Sequence, residues 1–362
     1  MPGAARTTRI LDWLVVGVVA GAAVALTASA RGRAAARSAG GEAPVLEPAA
    51  QPSRSTDPNV ALAEPGRGRQ ADAPRHIPAR GWKDIVKRTV KEFRDDNVAL
   101  VAAGMTFYAL LAFFPGLTAF VALYGLFAEV SDVREQLAAL RGVLPPEILG
   151  FIGEQMVRVA GAQTGGLTWT FATGLLVALW SANGAAKACF LGLNIAYEET
   201  EKRGFVRLTS TSLAFTIGGL VLVVSTLAMN LAPGLGWLRW IALIPAAVFA
   251  VALLYRYGPS RDPARWRWVS WGAGLTTLVW VLGSAAFSLY LSRFAHYDRT
   301  YGPLGAVMGF VMWTYLSSLI LLAGAELNAE IEHQTVRDTT TGAARPLGAR
   351  GARMADTVGA AQ

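Results

Sequence analysis

Long apolar blocks alternate with short charged stretches along this chain. The blocks fall at Ile10–Ala30, Val98–Ala128, Leu167–Ala188, Ser210–Leu231, Trp237–Tyr257, Trp268–Leu291 and Pro303–Glu326. A helix needs roughly 20 apolar residues to cross a bilayer core, so each block predicts a membrane span. The predicted fold class is all-α: a polytopic membrane helix bundle with a six-span core and one N-terminal extra span. Pro115 and Pro245 lie inside blocks. They predict kinks, because neighbouring helices in a bundle can satisfy the carbonyls that a proline frees. Val98–Ala128 exceeds one bilayer thickness, which predicts tilt or a bend at Pro115.

Two amphipathic regions flank these spans. Trp82, Ile85, Val86, Val90 and Phe93 recur at helical spacing among Lys83, Lys87, Arg88, Lys91 and Arg94. That pattern predicts an interfacial helix lying on an anionic leaflet. Val133, Leu137 and Leu140, and after Pro145-Pro146 the run Ile148, Leu149, Ile152, Met156 and Val157, predict two short extracytoplasmic helices. Packing on the bundle explains them more simply than a gate. The domain expectation is a membrane anchor or signal-like helix at 1–30, a disordered linker at 31–80, a membrane domain at 81–334 and a disordered cytoplasmic tail at 335–362.

Charge orients the spans. Segments 31–97, 187–209, 256–267 and 327–362 hold 25 of the 33 Lys and Arg residues, and the intervening segments hold 8. Basic connections stay on the cytoplasmic side, which predicts an outer N-terminus and a cytoplasmic C-terminus in a bacterial inner membrane. Ala28-Ser29-Ala30 after an apolar run also resembles a signal cleavage site. Cleavage there would leave the basic 31–97 segment outside, against the charge bias, so an uncleaved anchor is preferred.

Composition narrows the chemistry. Only 16% of the 362 residues are charged and 53% are hydrophobic, which fits a membrane protein better than a soluble one. Cys189 stands alone, which excludes an intrachain disulfide and any Cys-x-x-Cys site. His76, His296 and His333 fall in a linker, an outer loop and a tail, with no zinc spacing. The net charge of +8 is explained by cytoplasmic loops rather than by nucleic acid. No Gly-x-x-x-x-Gly-Lys-Ser/Thr run occurs, so ATP is not expected to drive the protein directly. No cofactor and no metal are expected.

Polar groups inside a bilayer are costly and therefore candidates for function. Asn183 and Lys187 lie one turn apart near the inner end of one span, Glu326 and Asn328 end the last span, and Asp95, Asp96 and Asn97 lie at the mouth of another. All seven fall at one membrane face, where Lys187 could pair with Glu326 or an aspartate. Such a cluster could bind an anionic headgroup or a coupling ion; snorkelling and solvated helix ends are the plainer explanations. Thr106, Tyr108 and Asn194 complete the candidate set, with interhelical hydrogen bonding as the alternative role. Gly302, Gly305 and Gly309 give the last span a small face for close helix packing, and such faces offer a route to a homo-oligomer. The expected partners are the bilayer and anionic lipid headgroups, not nucleic acid.

Three runs resemble signatures of the YihY/BrkB family of bacterial inner-membrane proteins. They are Ala102-Ala103-Gly104-Met105-Thr106-Phe107-Tyr108-Ala109-Leu110-Leu111 with Pro115; Leu179-Trp180-Ser181-Ala182-Asn183-Gly184-Ala185-Ala186-Lys187 with Leu193-Asn194-Ile195-Ala196-Tyr197; and Tyr301-Gly302-Pro303-Leu304-Gly305, Trp313-Thr314-Tyr315 and Gly324-Ala325-Glu326-Leu327-Asn328. The resemblance covers roughly residues 82–334 and implies a six-helix core with cytoplasmic ends. It brings labels rather than an activity: serum-resistance virulence factor, ribonuclease, and lipid or solute exporter. A zinc nuclease needs clustered His and Asp ligands, which the scattered histidines do not supply. The leading expectation is a non-enzymatic transporter or flippase-like protein for a lipid or anionic amphiphile. An envelope scaffold is the alternative, and a membrane-bound ribonuclease comes last.

Overall fold

Helices of 20 to 29 residues make up most of the computed structural model, which describes residues 54–55, 64–125, 169–231, 238–293 and 304–362. An amphipathic helix, α1 (Ala79–Asp95), leads into α2 (Val98–Gly125). There follow α3 (Trp169–Ala196), α4 (Phe205–Leu231), α5 (Leu238–Tyr257), α6 (Trp266–Arg293) and α7 (Leu304–Glu332). A single turn, α8 (Arg353–Asp356), precedes β2 (Val358–Gly359), which pairs antiparallel with β1 (Arg54–Ser55). The expected first span and the two extracytoplasmic helices lie outside the described residues.

Five of these helices are long and apolar enough to cross a membrane, and α5 contributes a shorter apolar stretch, Ile241–Tyr257. Their flanks carry exposed Leu100, Leu176, Val177, Val221 and Leu282. A water-soluble fold would not leave so much apolar surface bare; a bilayer is the solvent it suits. Pro115 and Pro245 both sit within continuous helix. The fold is therefore the all-helical membrane bundle that the hydropathy pattern predicts, with α2 to α7 as its six-helix core.

Helix α7 is the hub, packed against α6, α2, α1 and α3, while α4 meets α5 along a thin seam. Small residues make the hub possible. A Cβ at Gly324 of α7 would overlap Thr276 of α6 and Tyr255 of α5, and one at Gly272 of α6 would overlap Asn328. Of the expected small face of α7, the surroundings of Gly305 lie outside what is described and Gly309 is not a close contact. Gly302 lies outside the described residues, and a Cβ at Gly309 would meet only Leu291, at an ordinary 3.9 Å. Close approach needs a facing backbone or side chain within reach, and Gly324 and Gly272 meet such neighbours near the C-terminal end of α7.

The tight core also gathers at that end. Leu193, Tyr197, Tyr255, Val269, Ala325, Ala329 and Met354 form one buried cluster. Ile85, Trp268 and Ile331 form a second, with Ile77 and Ala71 from the segment before α1. Two expectations of disorder are corrected here. Residues 64–80 are held by the buried Arg69, which donates to Glu64 and to the Gln334 carbonyl, and by an Arg67–Asp84 ion pair. The segment 335–362 folds back over the bundle: Arg350 donates to the carbonyls of Val336, Arg337 and Ala355, and Met354 is buried. Both segments look polar in sequence, but backbone carbonyls and facing carboxylates supply the partners that low hydrophobicity alone would not.

Helix α1 is amphipathic in a different sense from that expected. Its inward face carries Ile85 together with Asp84, Arg88 and Glu92, whereas Val86 and Val90 point outward, half exposed. Arg88 turns inward because Glu330, Gln334 and the Ala360 carbonyl accept from it, and Asp84 because Arg67 and the Gln362 amide donate to it.

Candidate functional site

Beyond its apolar stretch, α7 continues as Glu326, Asn328, Glu330 and Glu332. Spacing of four residues stacks Glu326 over Glu330 and Asn328 over Glu332, and all four are buried. Each pair meets different partners. Glu330 takes the Arg88 guanidinium and approaches His333 Nδ1 at 3.4 Å. Glu332 binds Arg261 Nη2 at 2.7 Å, with both side chains fully shielded, and accepts from Thr339 Oγ1 at 2.9 Å. The Arg261 guanidinium also lies 4.4 Å from the Tyr197 ring centre. Burial pushes the Tyr197 phenol well above its ordinary range, so it stays a neutral donor or acceptor beside that cation.

The sequence-derived candidates divide among several settings. Asn328 donates to the Tyr197 hydroxyl at 2.9 Å and leaves its own Oδ1 without a partner. Glu326 is buried with Oε1 unpartnered. Asn194 ties the end of α3 to two loops, donating to Glu201 at 3.1 Å and accepting from the Ser260 amide at 2.7 Å. Asn183 accepts from Thr216 of α4 at 3.3 Å.

Lys187 donates to Thr209 at 3.1 Å and sits over the Trp180 and Phe205 rings. The expected pairing of Lys187 with Glu326 or an aspartate is therefore corrected: its side chain reaches α4, not α7. Thr106 donates to its own helix at the Ala102 carbonyl, and Tyr108 faces outward beside Phe107. Asp95 pairs with Lys91 at the surface, and Asn97 turns the chain between α1 and α2 at a φ of 51°, a conformation Asn tolerates better than most residues.

Sequence reading overlooked Arg88, Arg261, Glu330, Glu332 and His333, which make up most of the buried polar network. The available signal was the i, i+4 repeat past Glu326. His333 in particular is no tail residue: it is buried, with Nε2 3.1 Å from the Thr357 hydroxyl. Among the described residues no group of three or more His, Cys, Asp and Glu side chains is placed to hold a metal ion.

Deeper in the apolar region lies a cavity of about 310 Å³ between α4, α5, α6 and α7. Its wall is almost wholly apolar: Thr276, Thr277, Thr314, Ser317 and Ser318 line it, but the hydroxyls of Thr276, Thr277 and Thr314 donate to carbonyls of their own helices. Trp280 Nε1 donates to Ser317 at 3.0 Å. The thin α4–α5 seam bounds this cavity on one side.

A profile of proteins described as "Virulence factor BrkB" matches residues 89–347, well over half of the chain. The chain belongs to the BrkB virulence-factor family. The match runs from the middle of α1 into the C-terminal segment, so Arg261, Glu330, Glu332 and His333 all lie within the family region. A Bacillus subtilis (strain 168) protein whose name reads ribonuclease-like is 27% identical over 250 residues, covering 63% of this chain and 88% of its own length. UPF0761 membrane proteins of Verminephrobacter eiseniae (strain EF01-2) and Chromohalobacter salexigens are 26% and 28% identical, covering 68% and 69% of this chain. The chain spans 62% and 64% of those two, under two thirds of their lengths. No solved structure matches. This BrkB-family chain is thus a multi-pass membrane protein.

Proposed function

We propose that this BrkB-family protein is a non-enzymatic transporter or flippase-like protein that moves a lipid or an anionic amphiphile without direct use of ATP. The observation that carries the proposal is the apolar cavity between α4, α5, α6 and α7. Its almost wholly apolar wall suits the apolar part of such a substrate. The weakly packed α4–α5 seam beside it would let acyl chains remain in lipid. A volume of about 310 Å³ is at the lower end of the roughly 300–1,000 Å³ typical of small-molecule sites.

In this reading Glu326 and Asn328 form the polar floor towards the basic end. Glu326 follows Leu321 of the cavity wall by five residues, about 7.5 Å of helix rise. Asn183 and Lys187 steady α3 against α4 and so the far side of the seam. The Lys and Arg bias supports a cytoplasmic basic end and C-terminus in a bacterial inner membrane.

Reconstitution tests the proposal. Purified protein in liposomes should accelerate transbilayer movement of a fluorescent phospholipid, and filling the cavity with Thr314→Leu or Ser318→Leu should slow it several-fold. Glu326→Gln should also change the rate. Wild-type rates in all three variants would remove the cavity and its floor from the function.

A further inference from the structure

A second concavity, of about 470 Å³, lies at the basic end, where α4 begins and α5 stops. None of its lining residues lines the intramembrane cavity. Its wall holds Lys202, Arg203, Arg207, Arg256 and Arg261 against a single carboxylate, Asp262. Most of this charge is already matched. Lys202 pairs with Glu199 at 2.7 Å, Arg203 with Glu201 at 2.7 Å, Arg261 with Glu332 at 2.7 Å, and Asp262 with Arg345 at 2.8 Å. Two guanidinium groups are left over, those of Arg207 and Arg256. Neither has a carboxylate within ion-pair distance among the described residues.

Arg256 is the unusual one. It is 8% exposed, and its Nε and Nη1 are buried without a hydrogen-bond partner. Leaving charged donors dry and unmatched is costly, and natural interiors rarely do it. Its orientation is nonetheless set: the guanidinium lies 4.4 Å from the Trp266 ring centre and 5.3 Å from that of Tyr257. Stacking holds the flat face, while Nε and Nη1 at its edge lack an acceptor. Arg207 and Thr211 stand in the first two turns of α4. The free amides of a helix start and its dipole favour negative charge there.

The geometry points to a phosphate-class oxyanion site formed by Arg256, Arg207 and the start of α4. A tetrahedral oxyanion offers several acceptors at once and takes a guanidinium in two-point fashion. The pocket opens where the apolar stretches of α4 and α5 end, beside Tyr257, Trp266 and the exposed Phe205. Tyr and Trp favour that level of a membrane. A phospholipid headgroup therefore reaches the site most directly, and free phosphate shares the same chemistry. The site stands whether or not the protein moves lipid.

Binding to the purified full-length protein in neutral detergent decides it. The probes are inorganic phosphate, short-chain phosphatidylglycerol and an uncharged short-chain glyceride, with thermal stabilisation and titration as readouts. At least one phosphate-bearing probe should saturate while the glyceride does not. Arg207→Gln, an exposed change that leaves the fold intact, and Arg256→Gln should each weaken binding about tenfold or more. Arg267→Gln, another exposed cation outside the pocket, should bind as wild type. Saturation by lipid alone identifies a headgroup site, and saturation by inorganic phosphate identifies a free-anion site. Absence of saturation by either, wild-type affinity in Arg207→Gln, or an equal loss in Arg267→Gln overturns the assignment.

Discussion

The guanidinium of Arg88 on α1 meets the carboxylate of Glu330 on α7, with side chains only 4% and 1% exposed. Arg88 also donates to Gln334 Oε1 at 2.7 Å and to the Ala360 carbonyl at 2.9 Å. One side chain thus joins the amphipathic helix, the last span and the end of the chain. A buried ion pair contributes little net stability over an apolar pair, but losing one member strands the other.

Arg88→Met alone should therefore destabilise the protein by about 3–5 kcal/mol. The double change Arg88→Met with Glu330→Met should recover much of that loss. Thermal unfolding in detergent reads both, and equal losses in the single and double variants would count against a stranded carboxylate.

Gly324→Ala should loosen the bundle, because the new Cβ overlaps Thr276 and Tyr255. Overpacking of this kind costs about 1–3 kcal/mol. Gly309→Ala meets only Leu291 at 3.9 Å and should be close to neutral. The two melting temperatures, compared side by side, separate the real packing face from the apparent one.

Arg350→Ala should free the C-terminal segment, since four carbonyls lose their donor: those of Val336, Arg337, Arg345 and Ala355. Trypsin should then cut at Arg345 and Arg353 faster than in wild type, while the membrane helices stay protected. Unchanged digestion would show that the segment is held by other contacts.

Glu201 is held down to about 2 by the Arg203 side chain, helped by Asn194. A carboxylate with a depressed folded-state value stabilises the fold above its ordinary value near 4.5, and that contribution fades as pH falls towards about 2. Glu201→Gln should lower the melting temperature at pH 7 and lose most of that difference by pH 3. A difference that does not shrink on acidification would mean that the loop between α3 and α4 is secured some other way.

Legibility differed from place to place along the chain. The apolar blocks marked α2 to α7 because a bilayer demands length and hydropathy, and both are local properties. Glu326, with Asn194 and Asn328 just beyond their blocks, stood out because polar groups in or beside such blocks are expensive. Lys187 was visible for the same reason, but its partner was not: whether it meets Glu326 or Thr209 depends on the rotation of α3 against α4. Arg88 and Arg261 looked like ordinary basic residues of helix ends and loops, and nothing within a few positions of either reveals its carboxylate. Arg350 read as part of a disordered tail because its acceptors are backbone carbonyls, which have no signature of their own.

Hydropathy and charge bias, acting through the cost of moving groups from water to lipid, determined by themselves that this chain threads a membrane as a bundle of helices. Packing alone decided that the tight core lies at the basic end, that Gly324 rather than Gly309 is the close contact, and which cations are matched. Those outcomes depend on pairings between residues as far apart as Arg88 and Glu330, which form only when helices remote in the chain come into register.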